Sequence, residues 1–156
     1  MADSGDLERG EAALQSGRWT EASTIFESFL STEDSAEANF GLAEALWWLG
    51  ENRTSVEACV RAYGQFARRG DTASAVRCAA WLGIVYKANF ANFTAANGWL
   101  TRAERLIKAT GPSTLHAWIW LARAYQNPDL PAARLLSEQA LHLARSDGDI
   151  DTELVA

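Results

Sequence analysis

Histidine and cysteine are the side chains best suited to carry protons, attack substrates or bind zinc, and this sequence holds two of each. His116 and His142 stand far apart in the sequence, outside any HExxH arrangement. Cys59 and Cys78 lie in apolar helical stretches and form no paired-cysteine motif. The histidines therefore predict no zinc site, and the cysteines are expected to be buried, reduced thiols.

Other catalytic patterns are equally scarce. Gly41 and Gly50 are isolated, and the sequence contains no GxGxxG or GxxxxGK[ST] phosphate loop. No serine stands in a GxSxG context, and nothing selects a catalytic pair from the many carboxylates. We therefore expect a protein that is not an enzyme and that uses no cofactor or metal.

The most unusual chemical feature is the presence of seven tryptophans. Most of them are expected to fill gaps between irregularly stacked helices. Trp47 and Trp48 are neighbours, and side chains of neighbouring residues on a helix point about 100° apart. One of the two should therefore leave the core. The tryptophans are Trp19, Trp47, Trp48, Trp81, Trp99, Trp118 and Trp120.

The elements that position these side chains are predicted to be helices. Alanine, leucine, glutamate and arginine are abundant, only three prolines occur, and glycine or asparagine recurs at helix-pair distances. Gly17, Gly50 and Gly70 each suit a left-handed helix end. Residues 89–92 are predicted to form a loop, and residues 150–156 a partial ninth helix. The eight full helices are predicted at 7–15, 20–30, 36–49, 53–69, about 72–87, 93 or 94–109, 112–125, and 130 or 131–146.

Short turns between these helices predict four antiparallel pairs stacked side by side. The first helices of the pairs begin near residues 7, 36, 72 and 112. The spacing drifts from roughly 30 to roughly 40 residues, which is typical of an irregular repeat array.

The pairs resemble tetratricopeptide repeats, in which small residues let two helices cross closely. The second pair fits in its first helix, and the third and fourth pairs contain a Leu-small-x-x-Tyr segment. The resemblance implies an all-α, right-handed superhelical solenoid over residues 1–156, as one domain. Its residues are Gly10, Ala13, Gly17, Trp19, Ala22 and Phe26, then Leu42, Ala43 and Leu46, then Leu82, Gly83, Tyr86, Ala95 and Trp99, and finally Leu121, Ala122 and Tyr125.

A narrower resemblance is to the helical-repeat region of large bacterial LuxR-type transcriptional regulators. It rests on residues 44–50, 61–63, 69–71, 98–103 and 148–151. In that family the repeats form a regulatory or interaction region, and a separate helix-turn-helix domain binds DNA. The resemblance implies that this chain is a fragment of a longer regulator or a stand-alone relative.

First helices line the inner surface of such a solenoid, so the resemblance also predicts a partner-binding groove. Counting from the small position of each first helix selects a set that mixes aromatic anchors with both signs of charge, as a recognition groove requires. The predicted groove residues are Glu37, Phe40, Glu44, Trp47, Trp48, Arg77, Ala80, Ile84, Lys87, His116, Ile119, Arg123 and Gln126.

Charge bounds the choice of partner. The net charge is −6, with −8 in residues 1–50, +5 in residues 51–110 and −3 in residues 111–156. An acidic chain repels phosphate backbones, so this segment is not expected to bind nucleic acid directly. Neither a secretion signal nor a membrane span is recognisable, so a cytoplasmic location is expected.

The leading interpretation is therefore a protein-interaction module that binds a peptide, a helix or a domain, with Arg77, Lys87 and Arg123 holding acidic groups. One alternative is a sensor in which the aromatic side chains form a pocket for a small-molecule effector. Another is a structural oligomerisation arm, in which Trp47 or Trp48 is buried in a homodimer.

Overall fold

The computed structural model describes residues 4–108 and 114–148, and these residues are helical with no strand. The predicted all-α class is confirmed, whereas the predicted partial helix at 150–156 lies outside the described residues. Each predicted full helix has a counterpart. The helices are α1 (Ser4–Gln15), α2 (Trp19–Leu30), α3 (Ala36–Trp48), α4 (Asn52–Arg68), α5 (Thr72–Phe90), α6 (Phe93–Ile107), α7 (Thr114–Gln126) and α8 (Leu130–Asp147).

Glycine ends three of these helices as predicted. Gly17, Gly50 and Gly70 have φ angles of 70°, 81° and 77°, in the left-handed region that glycine adopts without a steric penalty. After α3, the Gly50 N–H donates to Trp47 O at 3.0 Å, and the Glu51 N–H donates to Leu46 O at 2.9 Å. This hydrogen-bond pair satisfies carbonyls that the last helical turn leaves without partners.

The predicted end of α5 was wrong. Asn89 and Phe90 are helical, and the chain leaves the helix at Ala91, which has a φ of 50°. The Ala91 N–H still donates to Lys87 O at 3.1 Å, so helical hydrogen bonding continues past the predicted loop start. Asn92 then caps α6, because its Oδ1 accepts a hydrogen bond from the Ala95 N–H at 3.0 Å.

The chain divides into two compact units, residues 1–71 and residues 72–156. In the first unit, which we call the N-unit, α1 packs on α2, α3 packs on both, and α4 packs on α3. In the second, the C-unit, α5 packs on α6, α7 packs on both, and α8 packs on α7. In each unit, the first helix of the second pair therefore packs on both helices of the first pair.

Close packing in the N-unit depends on small side chains around one ring. Phe26 is 1% exposed, and its ring fills the space between Gly10 on α1 and Gly41 on α3. A Cβ atom added at Gly10 would lie 2.6 Å from Phe26 Cε1, and one at Gly41 would collide with the same ring. Ala22 is fully buried as well. The predicted close helix crossing at Gly10 is confirmed.

Polar side chains also join α3 to α4. The buried Asn39 accepts a hydrogen bond from Arg61 Nε at 3.0 Å, and its Nδ2 donates to Ser35 O at 2.9 Å and Gln65 Oε1 at 3.2 Å. The buried Ser55 hydroxyl donates to Ala43 O at 2.5 Å. Because these buried groups are hydrogen-bonded, they fix the register of the two helices.

In the C-unit, the predicted close helix crossing at Gly83 is confirmed, but the two α6 side chains predicted to lie at it are not the ones found there. A Cβ atom at Gly83 would lie 2.7 Å from Leu100 Cδ2, so α5 and α6 cross closely there. The side chains at this crossing are the fully buried Ala96 and Leu100, one residue beyond the predicted Ala95 and Trp99. The helix starts where predicted, at Phe93, so the error is one of rotation about the α6 axis, which tertiary packing sets. Trp99 is half-buried instead.

Two apolar stripes on α7 complete the C-unit core. Ala122 lies with Ala80 and Leu100, and Ile84 and Trp118 pack against this cluster. Ala117 and Leu121 form the other stripe with Ala140, against α8.

Cys59 and Cys78 are buried and form no disulfide, which confirms the prediction of buried thiols. None of the described helices has the length and apolar character that crossing a bilayer requires.

Candidate interaction surfaces

Five of the predicted groove residues lie on α3 in the N-unit. Glu37 and Trp48 are exposed, and Phe40, Glu44 and Trp47 are half-buried. All five side chains therefore reach solvent to some degree. We call these five residues the α3 stripe.

The Glu37 end of the α3 stripe is occupied by an ion pair. Arg69 Nη2 lies 2.5 Å from Glu37 Oε1 and 3.1 Å from Asp71 Oδ2, and Ser35 Oγ donates to Glu37 Oε2 at 3.0 Å. The hydrogen bond from Arg69 lowers the pKa of Glu37. Because its pKa is lowered, the Glu37 carboxylate stays ionised at neutral pH. Its ion pair with Arg69 therefore connects α3 to the end of α4.

The other end of the α3 stripe is aromatic. Trp48 stacks on Trp19 of α2, with ring centroids 5.0 Å apart and an angle of 11° between the planes. Trp47 meets Trp48 edge to face, with centroids 4.8 Å apart. Trp48 is nevertheless 53% exposed. The prediction that one of the two neighbouring tryptophans leaves the core is confirmed, and that residue is Trp48.

In the C-unit, the structure places cations against aromatic rings between α5 and α7. The Arg77 guanidinium lies 5.9 Å from the centroid of the Trp118 ring. Lys87 Nζ lies 4.8 Å from the Tyr125 ring and 6.0 Å from the Phe93 ring, and it donates to the Tyr125 carbonyl. Cation–π contacts of this kind orient a charge at a surface without neutralising it.

Between these two cations the surface is apolar. Ile84 is half-buried and packs against the core cluster together with Trp118, whereas Tyr125 is 50% exposed. Arg77 and Lys87 are separated by about 15 Å along the axis of α5, because each helical residue rises about 1.5 Å. We call Arg77, Ile84, Lys87, Trp118 and Tyr125 the α5–α7 strip.

The predicted face of α7 requires correction. Ile119 is only 3% exposed, so it is unavailable to a partner. Arg123 points to α6, where its Nε lies 2.8 Å from Glu104 Oε1 and its Nη1 donates to Asn97 Oδ1 at 2.6 Å. His116 lies beside Trp120, with ring centroids 5.9 Å apart.

The side chains that face α5 belong to a different stripe of α7. Trp118, Ala122 and Tyr125 recur at helical spacing and contact α5 residues, and Gln126 donates to Gly83 O at 3.2 Å. Of the residues predicted on α7, Gln126 reaches α5, whereas Arg123 contacts α6. Ala80 on α5 was also predicted to line the groove, but it is fully buried and belongs to the core. Sequence reasoning missed Trp118 and Tyr125, although their seven-residue spacing places two aromatic side chains on one helix face.

Within residues 4–108 and 114–148, no group of three histidine, cysteine, aspartate or glutamate side chains could hold a metal ion. The α5–α7 strip supplies fixed cations and apolar rings, which recognise carboxylates and hydrophobic side chains.

No protein-family model, curated protein or solved structure matches the chain.

Proposed function

We propose that this chain is a protein-interaction module of the tetratricopeptide-like type, and that its α5–α7 strip binds a segment with acidic and apolar side chains. The proposed architecture is a right-handed solenoid of four helix pairs. Two features support it: the same order of helix packing recurs in both units, and small residues lie at the crossings around Phe26 and Leu100.

One observation carries the proposed binding function, namely that the two cations of the strip lie against aromatic rings. Lys87 is half-buried beside Tyr125, and Arg77 lies over Trp118. A cation held in this way needs little side-chain ordering when a carboxylate binds. The neighbouring rings supply the apolar contact that distinguishes a binding hot spot from an ordinary charged surface.

Peptide titration tests the proposed function. The probe is a helical peptide with two glutamates about eleven residues apart and leucines between them on the same face, because three helical turns span about 16 Å. Calorimetry should show saturable binding by the wild-type chain. The double variant Arg77→Ala/Lys87→Ala should bind at least about tenfold more weakly and with a smaller salt dependence.

A second double variant with the same change in net charge distinguishes binding at the α5–α7 strip from a general effect of the protein's charge. Arg105→Ala/Lys108→Ala removes two exposed cations, one on α6 and one directly after it, and changes the net charge by the same amount. It should retain the wild-type affinity within about twofold, since remote surface charges are screened at physiological salt. Equal weakening by both double variants would contradict the proposed function.

We further propose that the module belongs to a bacterial transcriptional regulator. The residues that resemble LuxR-type repeats support this proposal, among them the 44–50 segment, which contains Trp47 and Trp48. Sequencing the whole reading frame that encodes this chain tests the proposed membership of a regulator. A helix-turn-helix domain on the same polypeptide would support a regulator, and a frame without any DNA-binding domain would contradict it.

An apolar cleft favours small-molecule sensing as a second candidate function. It has a volume of about 390 Å³, within the range of ligand sites, and it lies between α7 and α8. Its lining consists of Trp120, Glu138, Gln139, His142 and Leu143. Saturable quenching of indole fluorescence by a metabolite, abolished in Trp120→Phe, would favour this function over peptide binding.

A further inference from the structure

Trp48 combines rigidity with exposure, which is an unusual pairing for an indole. One of its faces stacks on Trp19 and its ring meets Trp47, yet 53% of the residue reaches solvent. Leu49 beside it is 40% exposed. A ring that its neighbours already hold in place loses little entropy on binding, and tryptophan is the residue most often found at binding hot spots.

The charge around Trp48 indicates what it binds. Residues 1–71 hold six basic and thirteen acidic side chains, a net charge of −7 for the N-unit. Glu44 precedes Trp48 by one helical turn, so the two side chains are neighbours on α3. Of the basic residues, Arg9 and Arg18 lie within 2.8 Å of carboxylates on their own or the next helix. An acidic field beside an exposed indole attracts a cation and repels an anion.

Arginine fits this surface better than lysine does. A planar guanidinium can lie flat on an indole while its N–H groups remain in the plane to donate to a carboxylate. An arginine of this chain already lies against an indole, since the Arg102 guanidinium carbon is 4.8 Å from the Trp99 ring centroid. We propose that the exposed part of the Trp48 indole, with Glu44 beside it, is a second docking surface that binds an arginine of a basic partner segment.

This surface lies in the N-unit and is independent of the α5–α7 strip. A partner segment with arginines would bind here, whereas the acidic peptide of the proposed function would bind in the C-unit. The two proposals can therefore fail separately, because each has its own probe and its own variant.

The test uses the full chain and a short peptide in which arginine alternates with glycine, compared with the lysine version of the same peptide. Calorimetry should show saturable binding of the arginine peptide, at least about fivefold tighter than the lysine peptide. Trp48→Ala should weaken arginine-peptide binding by about tenfold or more, and Glu44→Gln by about threefold.

Two further variants keep the test decisive. Leu135→Ala removes another exposed apolar side chain, which is 57% exposed on α8, and should leave the affinity unchanged. Trp48→Phe retains an aromatic ring on Trp19 and should give intermediate affinity even if Trp48→Ala does not fold. Equal affinity for the two peptides, or unchanged affinity in the Trp48 variants, would overturn the proposal. Concentration-dependent sedimentation that Trp48→Phe abolishes would also overturn it, in favour of a second copy of this chain.

Discussion

Phe26 on α2 lies so close to Gly10 on α1 that a Cβ atom added at Gly10 would be 2.6 Å from the ring. The same ring covers Gly41, so one aromatic side chain joins the first pair to the next first helix. Gly64 offers a contrast: it is also helical, but the nearest atom to an added Cβ there is the flexible end of Arg68 at 3.4 Å. The two glycines should therefore respond to alanine in opposite directions.

Gly10→Ala should lower the free energy of unfolding by about 1–3 kcal/mol, because overpacking displaces the Phe26 ring. Gly64→Ala should raise it by about 0.5–1 kcal/mol, because alanine loses less backbone entropy than glycine in a helix. Urea denaturation of the two variants measures both changes. Stabilisation by Gly10→Ala would show that α1 and α2 do not cross closely.

At the end of α5, replacing alanine by glycine is expected to stabilise the protein. Ala91 has a φ of 50°, a conformation that costs an L-residue about 1–2 kcal/mol. Ala91→Gly should therefore stabilise the protein by about 0.5–1 kcal/mol, after allowing for the greater entropy of glycine in the unfolded chain. Gly70→Ala at the corresponding end of α4 should destabilise it by a similar amount. Thermal unfolding of both variants checks the pair, and destabilisation by Ala91→Gly would contradict the proposed strain.

The buried polar group between α3 and α4 provides a third prediction. Asn39 satisfies donors and acceptors on both helices, including Arg61 and Gln65. Asn39→Ala should lower the free energy of unfolding by about 1–3 kcal/mol, because the hydrogen bonds that the buried Asn39 makes between the two helices are lost. Gln139→Ala, at an exposed position, is the control and should change it by less than about 0.5 kcal/mol.

Acid titration tests the ion pair at the start of the α3 stripe. The hydrogen bond from Arg69 lowers the pKa of Glu37, so the pair stabilises the folded state above the ordinary glutamate pKa of about 4.3. That stability is lost as the pH falls through the lowered folded-state pKa. Compared with Glu37→Gln, the wild type should gain at most about 1 kcal/mol at neutral pH, since the pair is exposed.

The measurement is the difference in unfolding free energy between wild type and Glu37→Gln at several pH values. The difference should begin to shrink near the ordinary glutamate pKa and disappear below the lowered folded-state pKa, and Arg69→Met should remove its dependence on pH. A difference that grew as the pH fell would contradict the assigned direction of the shift.

Local chemistry explains which parts of the fold were predictable. Gly17, Gly50 and Gly70 marked helix ends because the left-handed conformation favours glycine at that one position. Ala91 carried no such signal, and the end of α5 was placed too early. Helix existence depends on composition and periodicity over many residues, so it was predicted more securely than any boundary.

Side-chain direction was harder to predict. On α5, counting from Gly83 selected Arg77, Ile84 and Lys87, which lie beside residues of α7. On α7, the same count from Ala122 selected a face that holds Arg123 against α6. Each residue of error rotates a side chain by about 100°, and only tertiary packing fixes that rotation. The aromatic members of the α5–α7 strip were therefore missed.

The most direct test of the account is to find where the acidic helical peptide binds, by following tryptophan indole N–H signals in NMR. Trp118→Phe assigns the signal that matters. We expect the Trp118 signal to shift saturably together with the Ile84 methyl groups, while the Trp99 signal on α6 stays in place, because Trp118 and Ile84 lie on the strip. Saturable shifts confined to Trp99 or Trp120, with Trp118 unchanged, would contradict the α5–α7 strip as the binding surface.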